Sequence, residues 1–412
     1  MDYVPREIET DILRWLHAPE IIVIRGPRQS GKTTLLRRLS AVLEEKYGAE
    51  NVHVLTFEDE LERRRFEENP REVVQFYGGS GGKKQAFLLD EIQYVKNAGH
   101  LLKLLFDTVA SCKIVVTGSS ALDINQLGAA LVGRALFFDL QPFSFAEFLS
   151  VRDPQAHRYY LSSCTSIKKP NVVPTAFLER LNRLLDEYHT FGGYPRVVLE
   201  PSVEKKKFIL KNLFSTYLEK DVANLFGPQY KGKAIDMVRY LASAMGQVIK
   251  YDDISQATGL YYMEVKHILS ILEQTYIIRV ARPFHRNMIT EIKKNPKIYF
   301  VDSGLRNVIL DRYTFSDMEK GALLENYVCS LLEEPKYWRT TAKAEVDFVL
   351  NMAKEDIIPV EVKTRPDITR SFRSFVRAYQ PHHGIIITRE ASGRRRIGGT
   401  TVYLVPAALL SA

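Results

Sequence analysis

The feature that most constrains this 412-residue chain is the segment 26–33, in which a glycine opens the run and Gly-Lys-Thr closes it. The spacing fits G-x-x-x-x-G-K-[ST], the phosphate-binding loop pattern. An apolar strand is predicted immediately before it at 21–25, and a helix is predicted to begin at Lys32. A loop between a strand and a helix N-terminus directs backbone N–H groups at phosphate. The segment therefore predicts an α/β core that binds a nucleotide.

Each side chain of this loop has an expected role. Lys32 is expected to reach the β- and γ-phosphates of ATP, and the Thr33 hydroxyl is expected to bind Mg²⁺. ATP and Mg²⁺ are therefore the predicted cofactors. The predicted nucleotide contacts are Gly26, Pro27, Arg28, Gln29, Ser30, Gly31, Lys32, Thr33 and Thr34.

A second motif lies at the end of a later apolar strand, predicted at 86–90. Asp90 and Glu91 close this strand. After a phosphate-binding loop, the first acid is placed to hold the Mg²⁺ water shell and the second to polarise the attacking water. A complete predicted strand at 52–57 separates the two motifs, which favours the AAA+ type. The pair predicts hydrolysis of ATP, with Glu91 as the catalytic base.

Two further residues are weaker candidates for catalysis. Ser119 follows the predicted strand 113–117 and is expected beside the water and the γ-phosphate, although a plain strand-to-helix turn explains it nearly as well. Arg134 precedes the predicted strand 136–140. It is expected to contact the γ-phosphate in cis or from a neighbouring subunit of a homo-oligomer, with an ordinary surface arginine as the alternative.

The chain is too long for one ordinary core, so several domains are expected. Strands alternate with helices in the first part, which predicts a parallel-sheet α/β fold. We predict an ATPase core at 1–150, a helical lid at 151–230, a winged helix at 231–315 and a small α/β domain at 316–412.

The winged-helix prediction rests on three helical patterns followed by two β-rich pieces. The third helix has one lysine and two acids and no arginine placed to read guanine, so DNA contact and a purely structural role both remain open. Basic residues surround the predicted wing: Lys250, Arg279, Arg282, His285, Arg286, Lys293, Lys294 and Lys297. The basic runs 205–207 and 394–396 are interpreted as solvated faces.

Carboxylates recur in the last predicted domain. Asp347 and Glu361 lie on two strands, with Lys363 on the same face as Glu361, and Glu325 lies on the preceding helix. Adjacent strands would bring these side chains together, and carboxylate oxygens suit a divalent metal. We therefore predict Asp347 and Glu361 as metal ligands of a nuclease-like site. The alternative is a fold kept for packing, with exposed charges on its strands.

Together these residues resemble a family of prokaryotic, switch-like AAA+ ATPases. The resemblance covers nearly the whole chain: 26–34, 88–91, 117–120, 133–134, 140–148, 192–195, 217–221 and 345–348. It implies ATP binding, Mg²⁺ and hydrolysis, and it implies that Pro195 of the Gly-x-Pro element lies near the adenine. The late carboxylates resemble the PD-(D/E)xK nuclease fold, except that Val346 stands where that pattern often has proline.

The composition excludes several classes of protein. Hydrophobic residues make up 45% and charged residues 26%, which excludes a mostly disordered chain and a collagen. No apolar run is long enough for a membrane span, and no secretory signal is read, so we expect a cytoplasmic protein without membrane contact. A net charge of +8 permits DNA contact without requiring it.

Three functions are compatible with these patterns. The first is an ATPase whose nucleotide state repositions the winged helix and the nuclease-like domain, with DNA as a candidate partner. The second is a DNA nuclease gated by ATP through Asp347, Glu361 and Lys363. The third is an interaction or assembly switch that cuts nothing.

Overall fold

The computed structural model describes residues 3–78, 84–109, 112–119, 127–217, 230–284, 294–351 and 357–412. By its internal contacts the chain forms two compact units. The first unit comprises Met1–Glu147 with Gln274–Tyr276, and the second comprises Phe148–Glu273 with Ile277–Ala412. The three-residue segment joins the first unit, where the Tyr276 hydroxyl donates a hydrogen bond to Asp139 at 2.7 Å.

The first unit is built on a five-stranded parallel sheet with the strand order β2-β3-β4-β1-β5. This confirms the predicted α/β class. The strands are β1 (Ile21–Arg25), β2 (Val52–Thr56), β3 (Gln85–Asp90), β4 (Cys112–Gly118) and β5 (Ala135–Asp139). The helices are α1 (Glu9–Trp15), α2 (Lys32–Tyr47), α3 (Glu60–Glu68), α4 (Pro70–Gly78) and α5 (Ala98–Thr108).

Both faces of this sheet are buried, as is usual where helices cover a parallel sheet. Successive residues of β1 belong to different hydrophobic clusters. Ile21 and Val23 pack into one cluster, whereas Ile22 and Ile24 pack into the other, together with Leu35 of α2. The first four residues of β1 are therefore apolar and buried, and the loop that follows this strand is held at the carboxyl edge of the sheet.

The second unit begins with helices and continues as a mixed region. Its helices are α6 (Phe145–Arg152, in which the division falls), α7 (Pro154–Ser163), α8 (Leu178–Phe191), α9 (Pro195–Val198), α10 (Val203–Tyr217), α11 (Lys231–Ser243), α12 (Tyr251–Thr258), α13 (Tyr262–Gln274), α14 (Ser303–Ile309), α15 (Asp317–Ser330) and α16 (Arg370–Tyr379). Its strands are β6 (Thr165–Ser166), β7 (Ile278–Pro283), β8 (Lys297–Phe300), β9 (Lys336–Arg339), β10 (Glu345–Val346), β11 (Phe348–Asn351), β12 (Ile357–Val362), β13 (His383–Thr388), β14 (Gly393–Ile397), β15 (Thr400–Pro406) and β16 (Leu410–Ser411).

Two larger sheets organise the C-terminal half of this unit. One has four strands in the order β10-β9-β7-β8, and the other has five in the order β11-β12-β13-β15-β14. β7 pairs antiparallel with β8 and parallel with β9, where Arg282 is opposite Lys336. Three helices followed by an antiparallel strand pair match the predicted outline at 231–301. However, one sheet crosses the predicted boundary at 315.

None of the helices in the described part of the chain combines the length and the apolar character that crossing a bilayer requires.

Candidate functional site

The phosphate-binding loop closes tightly against Leu140, the residue that directly follows β5. Gly26 has φ +155°, and a Cβ atom at this position would lie 2.1 Å from the carbonyl oxygen of Leu140. Gly31 has φ +98° and caps the N-terminus of α2. Side chains are poorly tolerated at both positions, so these two glycines let the backbone turn inward.

Lys32 is buried at the centre of this loop. Its ammonium donates hydrogen bonds to the carbonyl oxygens of Gly26 at 3.0 Å and Pro27 at 2.9 Å. The Ser30 hydroxyl is fully buried and has no hydrogen-bond partner among the described residues. A cradle of backbone with a central ammonium and a spare hydroxyl suits a phosphate group. The residues present therefore fit the triphosphate of a nucleotide.

The Thr33 hydroxyl is held against the acid at the end of β3. It donates a hydrogen bond to Asp90 Oδ2 at 2.8 Å. The hydroxyl of Thr117, the penultimate residue of β4, donates to the other oxygen of the same carboxylate. Asp90 is buried, and two hydroxyl groups fix its orientation. Neighbouring hydroxyl and carboxylate oxygens are donors of the kind that Mg²⁺ prefers, so the pair fits that ion.

Glu91 lies in a small polar network beside this pair. Its backbone is left-handed, with φ +58°, and its N–H donates to Thr117 Oγ1 at 3.1 Å. Its carboxylate accepts hydrogen bonds from the Gln93 amide and from Ser119 Oγ, the latter at 3.3 Å. The Gln93 amide also donates to Ser119 Oγ at 2.9 Å. The structure therefore brings together Glu91 and Ser119, which the sequence suggested separately.

Sequence reasoning missed three residues of this site, although simple signals were present for two of them. Thr117 is the last polar residue of a buried strand, and Gln93 follows the acidic pair by two positions. Arg6 gave no signal, because it is remote in sequence. It is buried, and its guanidinium donates to the carbonyl oxygens of Ser30 at 2.9 Å and Gln141 at 2.6 Å. Arg6 thus fixes the loop backbone from outside.

Arg134 lies at the other end of the sheet. Its carbonyl oxygen accepts a hydrogen bond from the N–H of Ile21, the first residue of β1. The phosphate-binding loop follows Arg25, the last residue of the same strand. Five residues of strand separate the two edges by roughly 15 Å. Its guanidinium forms a two-fold hydrogen bond with Asp107 at 2.8 and 3.1 Å. This placement opposes the predicted contact in cis, and the contact in trans stays a prediction.

The Gly-x-Pro element lies in the second unit, where Pro195 begins α9. A buried carboxylate, Asp302, accepts a hydrogen bond from the Gly193 N–H at 2.7 Å. Gly192 has φ +75°, and a Cβ there would lie 2.1 Å from Asp302 Oδ1. The role of Pro195 near adenine stays a prediction, and residues 218–221 of the resemblance lie outside the described residues.

The C-terminal charges predicted from the sequence converge in the second unit. The Lys363 ammonium lies 3.3 Å from Glu361 and 3.8 Å from Asp347. The Val362 N–H donates to Asp347 at 2.8 Å, and the Thr369 hydroxyl donates to both Glu361 oxygens at 2.8 and 3.0 Å. Burial raises the pKa of Glu361 and outweighs the nearby ammonium of Lys363.

Lys297 occupies the centre of this cluster, although the sequence suggested a basic residue of the wing. Its ammonium lies 2.7 Å from Glu345, 3.1 Å from Glu325 and 4.0 Å from Asp347, and its side chain is 2% exposed. Burial lowers the pKa of Lys297, but the three carboxylates overcome this and raise it. Burial also raises the pKa of Glu325, which accepts a hydrogen bond from Tyr299 at 2.5 Å.

Within the described ranges, no group of three or more His, Cys, Asp or Glu side chains is arranged to hold a metal ion. A divalent metal held by Asp347 and Glu361 stays a prediction. The ammonium of Lys297 stands among Glu325, Glu345 and Asp347. An internal cation of this kind supplies the positive charge that the carboxylates would otherwise take from a metal.

Comparison with known families agrees with the geometry of the first unit. Residues 18–149 match a family described as "AAA domain". This match supports an AAA+ ATPase family for that part of the chain. Two further families, each described as a domain of unknown function (DUF8612 and DUF4143), match residues 182–315 and 320–410.

Several relatives align along almost the whole chain. An uncharacterized protein of Haemophilus influenzae is 28% identical over 406 residues, which cover 93% of this chain and 93% of the relative. An uncharacterized protein of Mycobacterium tuberculosis is 24% identical over 388 residues, covering 90% of this chain and 76% of the relative. A third, from Methanocaldococcus jannaschii, is 23% identical over 407 residues, covering 93% and 83%.

Solved structures with low overall similarity were also found. AMPPCP-bound DnaA from Aquifex aeolicus has a TM-score of 0.27 at 13% identity, covering 65% of this chain and 86% of DnaA. The DNA clamp loader delta protein of Bacillus subtilis has a TM-score of 0.29 at 11% identity, covering 78% and 98%.

Proposed function

We propose that this protein binds ATP with Mg²⁺ and hydrolyses it in its first unit. One observation carries the proposal: the Thr33 hydroxyl meets the Asp90 carboxylate at 2.8 Å at the mouth of a glycine-lined cradle. Glu91 follows directly and is held by its own hydrogen bonds. The matching AAA domain at 18–149 supports the same reaction.

In this proposal each residue has a defined task. Lys32 exchanges its hydrogen bonds to Gly26 and Pro27 for bonds to phosphate oxygens. Thr33 and Asp90 hold Mg²⁺, which neutralises charge that develops on the phosphates. Glu91 orients the attacking water and accepts its proton.

Two polar side chains support the carboxylate of Glu91. Gln93 and Ser119 fix it in the absence of nucleotide and keep it from turning towards solvent. Since catalysis depends on precise orientation of the water, their contribution falls on the chemical step rather than on binding.

The test is ATP turnover by the purified full-length chain. Lys32→Ala should abolish nucleotide binding, whereas Glu91→Gln should keep binding and lose turnover, typically by two to four orders of magnitude. Lys46→Ala, an exposed lysine at the last turn of the same helix, is the matched control. Full turnover in both Lys32→Ala and Glu91→Gln would reject the assignment.

We further propose that the nucleotide state controls a second unit that cuts nothing. The three helices α11 to α13 with β7 and β8 support a winged helix, and the convergence of Asp347, Glu361 and Lys363 supports a nuclease-like fold. The position of Lys297 favours the non-cutting alternative over the gated nuclease, because its ammonium already supplies positive charge to Glu325, Glu345 and Asp347.

The gated nuclease remains the second candidate, favoured by that same convergence. It requires nicking of linear, supercoiled or branched DNA with Mg²⁺ or Mn²⁺ that Asp347→Ala abolishes. A lack of cleavage in wild-type protein, together with a change of mass on adding an ATP analogue, supports an assembly switch instead. Sizing with light scattering separates these outcomes.

A further inference from the structure

The net positive charge of this protein comes almost entirely from one short part of the chain. Residues 363–397 contain nine Lys or Arg residues against two acids, a net charge of +7. The whole chain carries +8. The other 377 residues are therefore nearly neutral, and the basic character of the protein belongs almost entirely to this segment.

Within this segment, α16 separates its arginines from its apolar residues. Arg370, Arg373 and Arg377 recur at helical spacing and are exposed. Phe372 and Phe375 face the opposite way and are fully buried. The apolar side of α16 is thus used up by the core, and its arginine side is turned to solvent along about 10 Å of helix.

The neighbouring edge strand adds one more arginine. β14 is the last strand of the five-stranded sheet, and its exposed Arg395 lies opposite Val402, which packs beneath α16. Arg395 donates a hydrogen bond at 2.9 Å to the carbonyl oxygen of Pro366, just before α16. Its neighbours Arg394 and Arg396 point to the other face of the sheet, because side chains alternate along a strand. Arg370, Arg373, Arg377 and Arg395 therefore form one basic surface, here named the arginine surface.

None of the four side chains of the arginine surface forms an ion pair with any described residue. Other arginines of this unit do, for example Arg389 with Asp186 at 2.7 Å and Arg180 with Asp153 at 2.5 Å. Like charges held close together without counter-charges repel each other. A polyanion that lies across the surface would relieve this repulsion.

The chemistry of the surface selects among polyanions. Guanidinium groups bind phosphate through paired hydrogen bonds. The distance of about 10 Å along α16 between Arg370 and Arg377 corresponds to about three phosphate steps on one strand of a duplex. The large exposed apolar side chains of the described residues all lie outside 363–397. Stacking on single-stranded bases and insertion into a bilayer both need such side chains. We propose that the arginine surface binds the phosphate backbone of duplex nucleic acid.

Fluorescence anisotropy with a labelled duplex of roughly 25 base pairs, titrated with the full chain without nucleotide, tests this proposal. The triple variant Arg370→Gln, Arg373→Gln and Arg377→Gln removes the three guanidinium groups from the exposed face of α16. Each lost phosphate contact lowers the slope of log affinity against log salt by about 0.9, so the triple variant should lower it by nearly 3. At 0.1 M salt this corresponds to a loss of affinity of nearly three orders of magnitude, roughly 500-fold.

The matched control removes three exposed basic residues from other helices of the same unit: Arg158→Gln, Lys205→Gln and Lys211→Gln. Its salt slope should stay close to that of wild type. Equal losses in the control and the triple variant would reduce the effect to net charge and overturn the proposal. Unchanged binding by a correctly folded triple variant would also overturn it and would point to the winged-helix region.

A third arm tests other anionic partners with vesicles that contain phosphatidylserine and with polyglutamate. Arginine-dependent binding to either probe, without binding to the duplex, would contradict the proposal. Because the titration contains no nucleotide, its outcome is independent of ATP hydrolysis, and Glu91→Gln protein should bind the duplex as wild type does.

Discussion

Replacing Lys297 by Met tests whether its ammonium holds the C-terminal cluster together. The change removes the cation that lies 2.7 Å from Glu345, 3.1 Å from Glu325 and 4.0 Å from Asp347. Leaving buried charge uncompensated costs about 3–5 kcal/mol. The Glu345 side chain is 30% exposed, so water screens part of the loss and we expect the low end, about 3 kcal/mol.

A loss of this size should lower the unfolding midpoint of the second unit by about 6–12 °C. The chain has two tryptophans, Trp15 in the first unit and Trp338 in the second. In a Trp15→Phe background, Trp338 fluorescence reports the second unit alone. The difference between Lys297→Met and its parent should narrow as the pH falls, because protonation removes the uncompensated charges.

Two further variants make this measurement decisive. Lys320→Met removes an exposed lysine that pairs only with exposed Asp317, so it should change the midpoint little. Adding Glu325→Gln to Lys297→Met should restore part of the lost stability. If Lys297→Met unfolds at the same temperature as Lys320→Met, the reasoning about the internal cation is refuted.

Two more outcomes are expected. Gln93→Ala should lower kcat for ATP by roughly tenfold while leaving nucleotide affinity unchanged, since the hydrogen bonds of the Gln93 side chain to described residues go to Glu91 and Ser119; an equal loss of affinity in calorimetry would contradict this. Burial raises the pKa of Asp302 to about 6. The protonated carboxyl therefore stabilises the folded state fully below about pH 4, and this stabilisation is lost as pH rises through 6. Between these pH values, the free energy of unfolding measured in urea should fall less for Asp302→Asn than for wild type. An equal fall in both proteins would contradict this reasoning.

The local parts of the first unit could be predicted from the sequence. The spacing of Gly26 and Gly31 determines the loop, and apolar runs mark the strands that flank it. The pairing of Thr33 with Asp90 was accessible for the same reason, because the carboxyl ends of parallel strands meet at one edge. Arg134 shows the opposite case. It directly precedes β5 and therefore lies at the amino edge of the sheet, away from the phosphate-binding loop at the carboxyl edge.

The second unit was harder, because its key contacts join distant parts of the chain. Lys297 lies 28 residues before Glu325, and its neighbours in sequence are basic, so it resembled a residue of an exposed wing. Only the pairing of β7 with β8 and the packing of α15 place it among carboxylates. Binary patterning reports burial of apolar residues and cannot reveal a buried ammonium with its counter-ions.

The shared sheet of the second unit has a consequence for how its parts can be separated. The two families of unknown function that match this region meet between residues 315 and 320, yet Arg282 and Pro283 are paired with Lys336 and Tyr337 across that junction. A fragment that stops at the junction would lack β9, so one edge of β7 would be left unpaired and prone to self-association. A chimera that takes its last hundred or so residues from a relative would therefore need matching residues on both β7 and β9.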